Sequence, residues 1–524
     1  LRGENPVTAA ATSTAAVPGF RRNMVTICAM TATIMQALDT TIANVALPYM
    51  QGTLSASQDQ INWVLTSYIV AAAIMTAPVG WIANRFGRKK VFILCSAGFT
   101  AASVMCGLAQ DITQMVLFRL LQGVFGAALV PLSQAVMLDS YALHERAKAM
   151  SIWGMGVMLG PIMGPSLGAW LTETYSWHWV FFVNLPFGIV TVLGLIAFMD
   201  ETELNHNLRF DWFGFAALAV GIGSMQLALD RGEQLDWFNS PEIIAESIIA
   251  VIGFYYFLAH SLTTDRPFVQ FAIFKDRNFF TGCVFMAVMG LVLYSTMALA
   301  SPYLQNVIGY PIMTAGLLLA TRGGGTFIAM MLVGRFMKYI EARTLIASGM
   351  ILMSATLFVM TGWTDQTGVP EIIVVSVAQG FGLGLVFVPL STVAFMTLPN
   401  SLRTDGTAML TLVRNVASSI GISIVIAKLS SGARETRAIL NEHVTPFNHA
   451  LQMQDVARAL NMNTDMGRAI MDALLNVQAQ IIAFSHDYEM VMFVTLLAVP
   501  LAMMISSSKE AMRHPSSDHS AVME

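Results

Sequence analysis

Asp39 lies sixteen residues into an apolar run that begins near residue 23. In a helix that places its carboxyl about 24 Å from the start of the run, at about 1.5 Å of rise per residue. A charge held so deep in a membrane costs at least about 2.5 kcal/mol, so it calls for a cavity or a task. Burial strengthens a carboxyl's hold on a proton and a nearby cation weakens it, which is the tunability a proton carrier requires. A structural hydrogen-bonding role is the alternative. Arg119, Arg322 and Arg414 also fall inside apolar runs. A guanidinium stays protonated, so none of the three carries protons itself, but one placed beside an acid would repel an incoming proton. Pairing with carbonyls or Gln side chains, to fix helix packing, is the alternative for all three.

Two further stretches combine unusual residue types. GWIANRFGRKK, from Gly80 to Lys90, closes an apolar run with Arg85, Arg88, Lys89 and Lys90 and no acid. GMGVMLGPIMGPSLG, from Gly154 to Gly168, spaces Gly160, Gly164 and Gly168 four residues apart and adds Pro161 and Pro165. Small residues at that spacing let helices approach closely, and the prolines free carbonyls and predict a bend. No strand precedes Gly154, so the stretch is not a nucleotide loop, and no Walker A pattern occurs anywhere in the chain. ATP is therefore not the expected energy source.

The elements that hold these residues follow from composition. The chain has 524 residues, 55% hydrophobic and only 11% charged, with a mean hydropathy of +0.63. Those values belong to polytopic membrane proteins. Runs long enough to span, at about 20 residues each, occur near 23–47, 61–83, 91–109, 113–138, 147–171, 179–199, 211–229, 242–262, 279–304, 314–337, 344–362, 370–397, 407–428 and 487–507. In lipid every backbone amide needs an internal partner, so the runs are expected to be helices. The net charge of −4 says little; its distribution says more. Arg21 and Arg22, the Arg85–Lys90 knot, and then Arg146, Arg209, Arg266, Lys338, Arg403 and Lys509 recur at every second connection, with Arg231 the exception. That asymmetry places both termini and the knot in the cytoplasm. Cys28, Cys95, Cys106 and Cys283 all fall in the runs, which argues against disulfides and metal sites.

An internal repeat gives the architecture. Pro48-Tyr49-Met50-Gln51 is echoed 254 residues on by Pro302-Tyr303-Leu304-Gln305, and Val79-Gly80 at the same offset by Val333-Gly334. QGVFGAALVPLS from Gln122 returns as QGFGLGLVFVPLS from Gln379, 257 residues on. A duplicated six-span unit with two extra spans between the copies is the expectation. The predicted organisation is a disordered cytoplasmic tail (1–22), a first six-span bundle (23–199), the extra spans and their flanking loops (200–278), a second bundle (279–507) and a cytoplasmic tail (508–524). The second bundle includes a long outer loop, 429–486. Within that loop Ala450, Met453, Ala457 and Leu460, then Ile470, Leu474, Val477 and Ile481, recur at helical spacing. Such stripes need covering, by the protein's own outer face or by a partner.

The Gly80–Lys90 stretch resembles the signature loop of the major facilitator superfamily. LDTTIANVALP (Leu38 to Pro48), RLLQG (Arg119 to Gly123) and GPIMGPSLG (Gly160 to Gly168) resemble motifs of its fourteen-span drug:proton antiporters, of EmrB/QacA type. The resemblance implies an all-α membrane protein with the major facilitator fold, two six-helix bundles plus two extra spans. It implies a proton-coupled exporter of hydrophobic or amphipathic drugs and toxic compounds, not an enzyme, set in a bacterial inner membrane. No cofactor beyond the proton gradient and no nucleic acid is implied; a periplasmic membrane-fusion adaptor and an outer-membrane channel are.

The resemblance also suggests roles. Asp39 and Arg119 would couple protons. Gly80, Asn84, Arg85, Gly87 and Arg88 would form the gating loop, and Gly160, Pro161, Gly164 and Pro165 a hinge. The family loop has an acid where this chain has Asn84, so the latch is expected to be weaker, and returning an acid there to strengthen it. Cavity candidates are the polar or amphipathic groups in or beside the runs: Gln36, Asn44, Trp63, Tyr68, Gln122, Gln134, Tyr294, Tyr303, Gln305, Gln379 and Asn415. Arg322 and Arg414 are read as structural core charges. Asp139, Asp200 and Asp230, at run ends, are read as solvated anchors, and Glu246 as the rival intramembrane acid. An importer or single-metabolite exporter on the same fold, and a receptor or scaffold that moves nothing, are the competing readings; a buried Asp39 argues against the scaffold.

Overall fold

The computed structural model describes residues 19–142, 145–201, 209–264, 269, 271–399, 402–445, 448, 453 and 464–504. Residues 1–18 of the predicted first tail, the whole of the predicted 508–524 tail and most of the 450–460 stripe lie outside these residues, while residues 19–22 form the start of a helix and not a disordered tail. Among the described residues there are helices and no strand. The first half is built from α1 (Gly19–Thr53), α2 (Gln58–Thr76), α3 (Val79–Phe86), α4 (Arg88–Gly107), α5 (Ile112–Gly126), α6 (Leu129–Ser140), α7 (Arg146–Thr174), α8 (Trp179–Phe182) and α9 (Asn184–Phe198). The insert is α10 (Trp212–Arg231) and α11 (Pro241–Thr263). The second half is α12 (Arg277–Pro302), α13 (Ile312–Phe336), α14 (Ala342–Thr361), α15 (Val369–Ala394), α16 (Arg403–Glu442) and α17 (Asp465–Leu497).

Among the described residues twelve helical segments are long and apolar enough to cross a membrane, thirteen if α2 and α3, which meet at 57°, count as one bent span. α7 has the length of a fourteenth, at 29 residues, but its glycines and prolines dilute its hydropathy. Fourteen spans are thus compatible with the fold. Helix starts between spans are capped by Ser57 with Gln60, by Asp111, by Asp276 and by Thr464. Each cap satisfies amides that the first turn leaves without partners.

The two halves repeat one packing scheme. α1 lies along α7, α2 along α5, and α4 between α5 and α9; correspondingly α12 lies along α16, α13 along α15, and α14 between α15 and α17. Between the halves, the second span of each meets the fifth span of the other. α13 follows α7 along its length: Met330 against Gly154, Ile162 against Gly323, and Pro165 against Gly316. The equivalent seam joins α3 to α16, where a Cβ on Gly80 would stand 1.8 Å from the Asp405 carboxylate. The repeated Val-Gly pairs of the sequence therefore occupy matching places. The insert breaks the symmetry. α10 packs on both α2 and α16, with Ile74 against Gly223 and the Ser423 hydroxyl donating to the Leu229 carbonyl at 2.8 Å. α11 covers α10 and leaves Ile248, Val251, Tyr255 and Leu262 exposed, as a lipid-facing helix must.

Two expectations about helix extent need correction. The segment 429–486 is not mainly a loop: α16 continues as one helix of 40 residues to Glu442, and α17 begins at Asp465 instead of near 487. Alternating polar residues end the hydropathy signal without ending the helix, since Lys, Glu, Gln and Ala are good helix formers. The prolines of the fifth span do not break it either. α7 runs unbroken from Arg146 to Thr174, and its glycines serve as a packing surface.

Candidate functional site

Asp39 stands 20 residues into α1, deep within the first half, and is completely buried. The contact of α1 with α7 fixes its height. A Cβ on Gly160 would come 2.3 Å from the Ala37 carbonyl carbon, and one on Gly164 would come 2.0 Å from the Thr41 hydroxyl. Only glycine permits this approach, and the Thr41 hydroxyl uses it to donate to the Gly160 carbonyl at 3.1 Å.

Around Asp39 four elements converge. The Arg119 guanidinium, 1% exposed on α5, donates from Nη1 to Oδ2 at 2.7 Å and from Nε to the Val64 carbonyl of α2 at 3.0 Å. Its Nη1 also reaches Gln122 Oε1 at 2.8 Å, while Gln122 Nε2 donates to Asp39 Oδ1 at 2.8 Å. Asn184, at the start of α9, donates to the same oxygen at 3.1 Å and to Ser103 of α4 at 2.9 Å. Arg119 and Gln122 are one helical turn apart, so one face of α5 supplies both. The guanidinium carbon lies 4.4 Å from the centre of the Tyr68 ring and 5.6 Å from that of Phe181, two aromatic walls that favour a cation. Tyr68 in turn receives a hydrogen bond from Gln36 at 3.3 Å.

Buried so completely, two charges repay their desolvation only through such geometry, and removing one partner costs about 3–5 kcal/mol. Chemically the cluster is a carboxyl that accepts hydrogen bonds from three side-chain donors, one of them a guanidinium. A proton arriving at Asp39 would cancel the pair and free Arg119.

A second constellation ties the halves together at the end that bears the basic knot. Asp139, at the end of α6, accepts from Arg88 of α4 through one oxygen and from Arg403 of α16 at 2.6 Å through the other. Beside it the Asn84 amide donates to Asp405 at 3.3 Å. Gly87 takes φ +96°, a left-handed value that lets the chain turn between α3 and α4. These contacts correct two readings. Asp139 is a bridge and not a solvated anchor, because its two arginines come from different halves. The latch does not lack an acid: the second half supplies it as Asp405, opposite Asn84.

The remaining sequence candidates scatter. Gln134 and Gln379 are buried against the sulfurs of Met150 and Met360. Tyr303 is buried in an aromatic cluster with Trp363, Phe484 and Tyr488, its hydroxyl donating to the Thr364 carbonyl at 2.8 Å. Gln305 bonds Ser301 at 2.9 Å, Trp63 lies under the Arg231 guanidinium, Tyr294 is half-buried, and Asn44 is exposed. Arg322 donates to Thr296 at 2.8 Å, and Arg414 donates to its neighbour Asn415 at 3.4 Å. Glu246 lies 4.0 Å from Arg231, and Asp230 accepts from Thr66 of α2; both acids are on the insert, and neither bonds Asp39 or Arg119. Sequence reasoning missed Asn184, Asp405 and Asp487. A lone Asn in the apolar run VFFVNLPFG was a usable signal; Asp405 gave none, since it reads as an ordinary loop acid.

Two equivalent six-helix halves, with a charge pair buried in one and an ionic bridge across their seam, define a multi-pass membrane protein of the transporter type. The chain belongs to the Major Facilitator Superfamily, whose family model matches residues 29–422. It is 34% identical over 481 residues to the multidrug export protein EmrB of Escherichia coli (strain K12), covering 90% of this chain and 93% of that one. It is 34% identical to the fatty acid resistance protein FarB of Neisseria gonorrhoeae, covering 80% and 83%. Among solved structures, a bacterial homolog of the human lysosomal transporter Spinster matches with TM-score 0.54 at 17% identity, over 93% of this chain and 98% of that one. The human organic anion transporter MFSD10 matches with TM-score 0.56 at 13% identity, over 91% and 99%. These two share the fold.

Proposed function

We propose that this protein is a proton-driven exporter of hydrophobic or amphipathic compounds, set in the inner membrane of a bacterium with both termini in the cytoplasm. The observation that carries the reading is the buried Asp39–Arg119 pair, ligated by Gln122 and Asn184. A scaffold has no use for so costly a group; a device that must alternate between charged and neutral states does. The names of relatives, multidrug export and fatty acid resistance, point to small apolar cargo.

In this mechanism a proton from the outer side neutralises Asp39, and Arg119 loses its anion and turns to Gln122 and the Val64 carbonyl. The loss of that restraint on α1 and α5 permits the halves to rock, opening the seam at Asp139 and Asn84 to the cytoplasm. Cargo enters, the proton leaves to the cytoplasm, and the pair reforms. The proton gradient supplies the energy, with no cofactor. A periplasmic adaptor and an outer-membrane channel are further partners in this reading. Ile470 and Leu474, exposed on the outer part of α17, are the surface offered to them, whereas Ile481 is buried in the protein's own core.

The test is exchange in vesicles of purified protein: an imposed proton gradient should drive ethidium uphill, and ethidium should release protons. Absence of both, with a panel of uncharged and anionic compounds also inert, would refute the reading. Replacing Ile470 and Leu474 by Ser should leave vesicle exchange intact and reduce resistance in cells if an adaptor docks there; unchanged resistance refutes the adaptor.

A further inference from the structure

The second half contains an acid that the Asp39 network does not use. Asp487 of α17 is completely buried, and neither of its carboxylate oxygens has a hydrogen-bond partner. Next to it Tyr488 is also completely buried with its hydroxyl unbonded, and Arg322 on α13 keeps an unbonded buried Nε. The contrast with Asp39, which receives three side-chain donors, is sharp. A buried polar atom left unbonded costs about 1–3 kcal/mol, and an unpaired buried charge costs more. An acid kept for structure would have its partners.

The groups that face Asp487 come from each neighbouring element. α16 contributes Lys428, which acts on Asp487 electrostatically and whose ammonium rests 3.7 Å from Met490, one turn further along α17. The turn after α12 contributes Tyr303, whose ring lies 6.4 Å from that of Tyr488. α13 contributes Arg322, which acts through Tyr488. α14 brings no ionisable group to this level; its Thr361 carbonyl accepts from Ser485 at 2.7 Å. That bond sets the depth, since Thr361 ends α14 at the outer side: Asp487 lies within a turn of the outer end of the bundle. Lys428, Tyr303, Tyr488 and Arg322 are thus the charged and titratable groups around Asp487. A metal ion needs several ligands, and among the described residues no cluster of three or more acidic, histidine or cysteine side chains is placed to hold one, whereas a proton needs a single carboxyl.

We propose that Asp487 is a second proton-binding carboxylate of this transporter, reached from the outer end of the bundle and separate from the Asp39–Arg119 pair. The step is a simple protonation: the carboxylate takes a proton delivered through outer water and becomes a neutral carboxylic acid, which removes an unpaired charge from the buried site. The same proton later returns to water. Its place in a transport cycle rests on the proton-coupled reading above. The two halves would then hold one titratable acid each, so that more than one proton could move per cargo.

Infrared spectroscopy of the purified full-length protein without cargo, titrated in pH, reads protonated carboxyls directly. Asp487→Asn should remove one titrating carboxylic acid band, and Asp39→Asn should leave that band in place. Asp487→Glu, which keeps the acid, should shift the band without losing it, and it serves if the Asn variant fails to fold. In vesicles, protons moved per ethidium should fall in Asp487→Asn. A band that persists in Asp487→Asn, or an unchanged proton-to-ethidium ratio, overturns the proposal. Should the parent protein exchange no protons for ethidium, the antiporter reading fails for that cargo; the carboxyl band alone then decides whether Asp487 binds a proton.

Discussion

The Asn84 amide of the first half donates to the Asp405 carboxylate of the second half across 3.3 Å. The acid of this latch belongs to the helix that crosses the seam, and the neutral donor belongs to the basic loop. Asn84→Asp would therefore set two carboxylates face to face. Like charges near 4 Å at a protein surface repel by about 1 kcal/mol or more, so the closed seam should lose about 5-fold in population. Distances between spin labels on α3 and α16 would show the opening. Acid pH should reverse it, because a shared proton removes the repulsion. A tighter seam in the variant would contradict the geometry.

Asp139 joins Arg88 and Arg403 and so spans the same seam with charge. Asp139→Ala should open it further than any change at Asn84. The carboxylate is 31% exposed, so the cost is set below that of a fully buried pair, at roughly 1–3 kcal/mol. The same label distances check this, and salt should mimic part of the effect in the parent protein.

Asp39→Asn should abolish gradient-driven export while cargo still binds, since the shape and most hydrogen bonds persist. It also strands a buried Arg119, at a cost of about 3–5 kcal/mol. The double variant Asp39→Asn, Arg119→Gln should then be more heat-stable than the single one, yet equally inactive. Thermal unfolding in detergent, run beside vesicle transport, separates the two effects.

Gly160→Ala should destabilise by about 1–3 kcal/mol through overpacking, because the new methyl meets the Ala37 backbone and no flexible side chain. Gly324→Ala, where a Cβ would find open space, should be tolerated. Comparing their unfolding temperatures tests whether the α1–α7 contact is as close as the structure has it.

The sequence by itself determined the class of fold. Apolar runs of membrane length, basic loops at alternate connections, and the repeats at offsets of 254 and 257 required helices, duplication and two extra spans. It also singled out Asp39 and Arg119, because an ionisable group in lipid is costly enough to stand out without any knowledge of its neighbours. The partners of these residues were decided by tertiary structure alone. Asn184 reaches Asp39 from 145 positions away, Asp139 reaches Arg403 from 264, and Asn84 reaches Asp405 from 321. No local spacing encodes such pairs; they arise from the way glycine-bearing faces let helices approach. The same physics hid Asp487. At the end of a span it reads as a solvated residue, and only the packing of α12, α14 and α16 around α17 removes it from water.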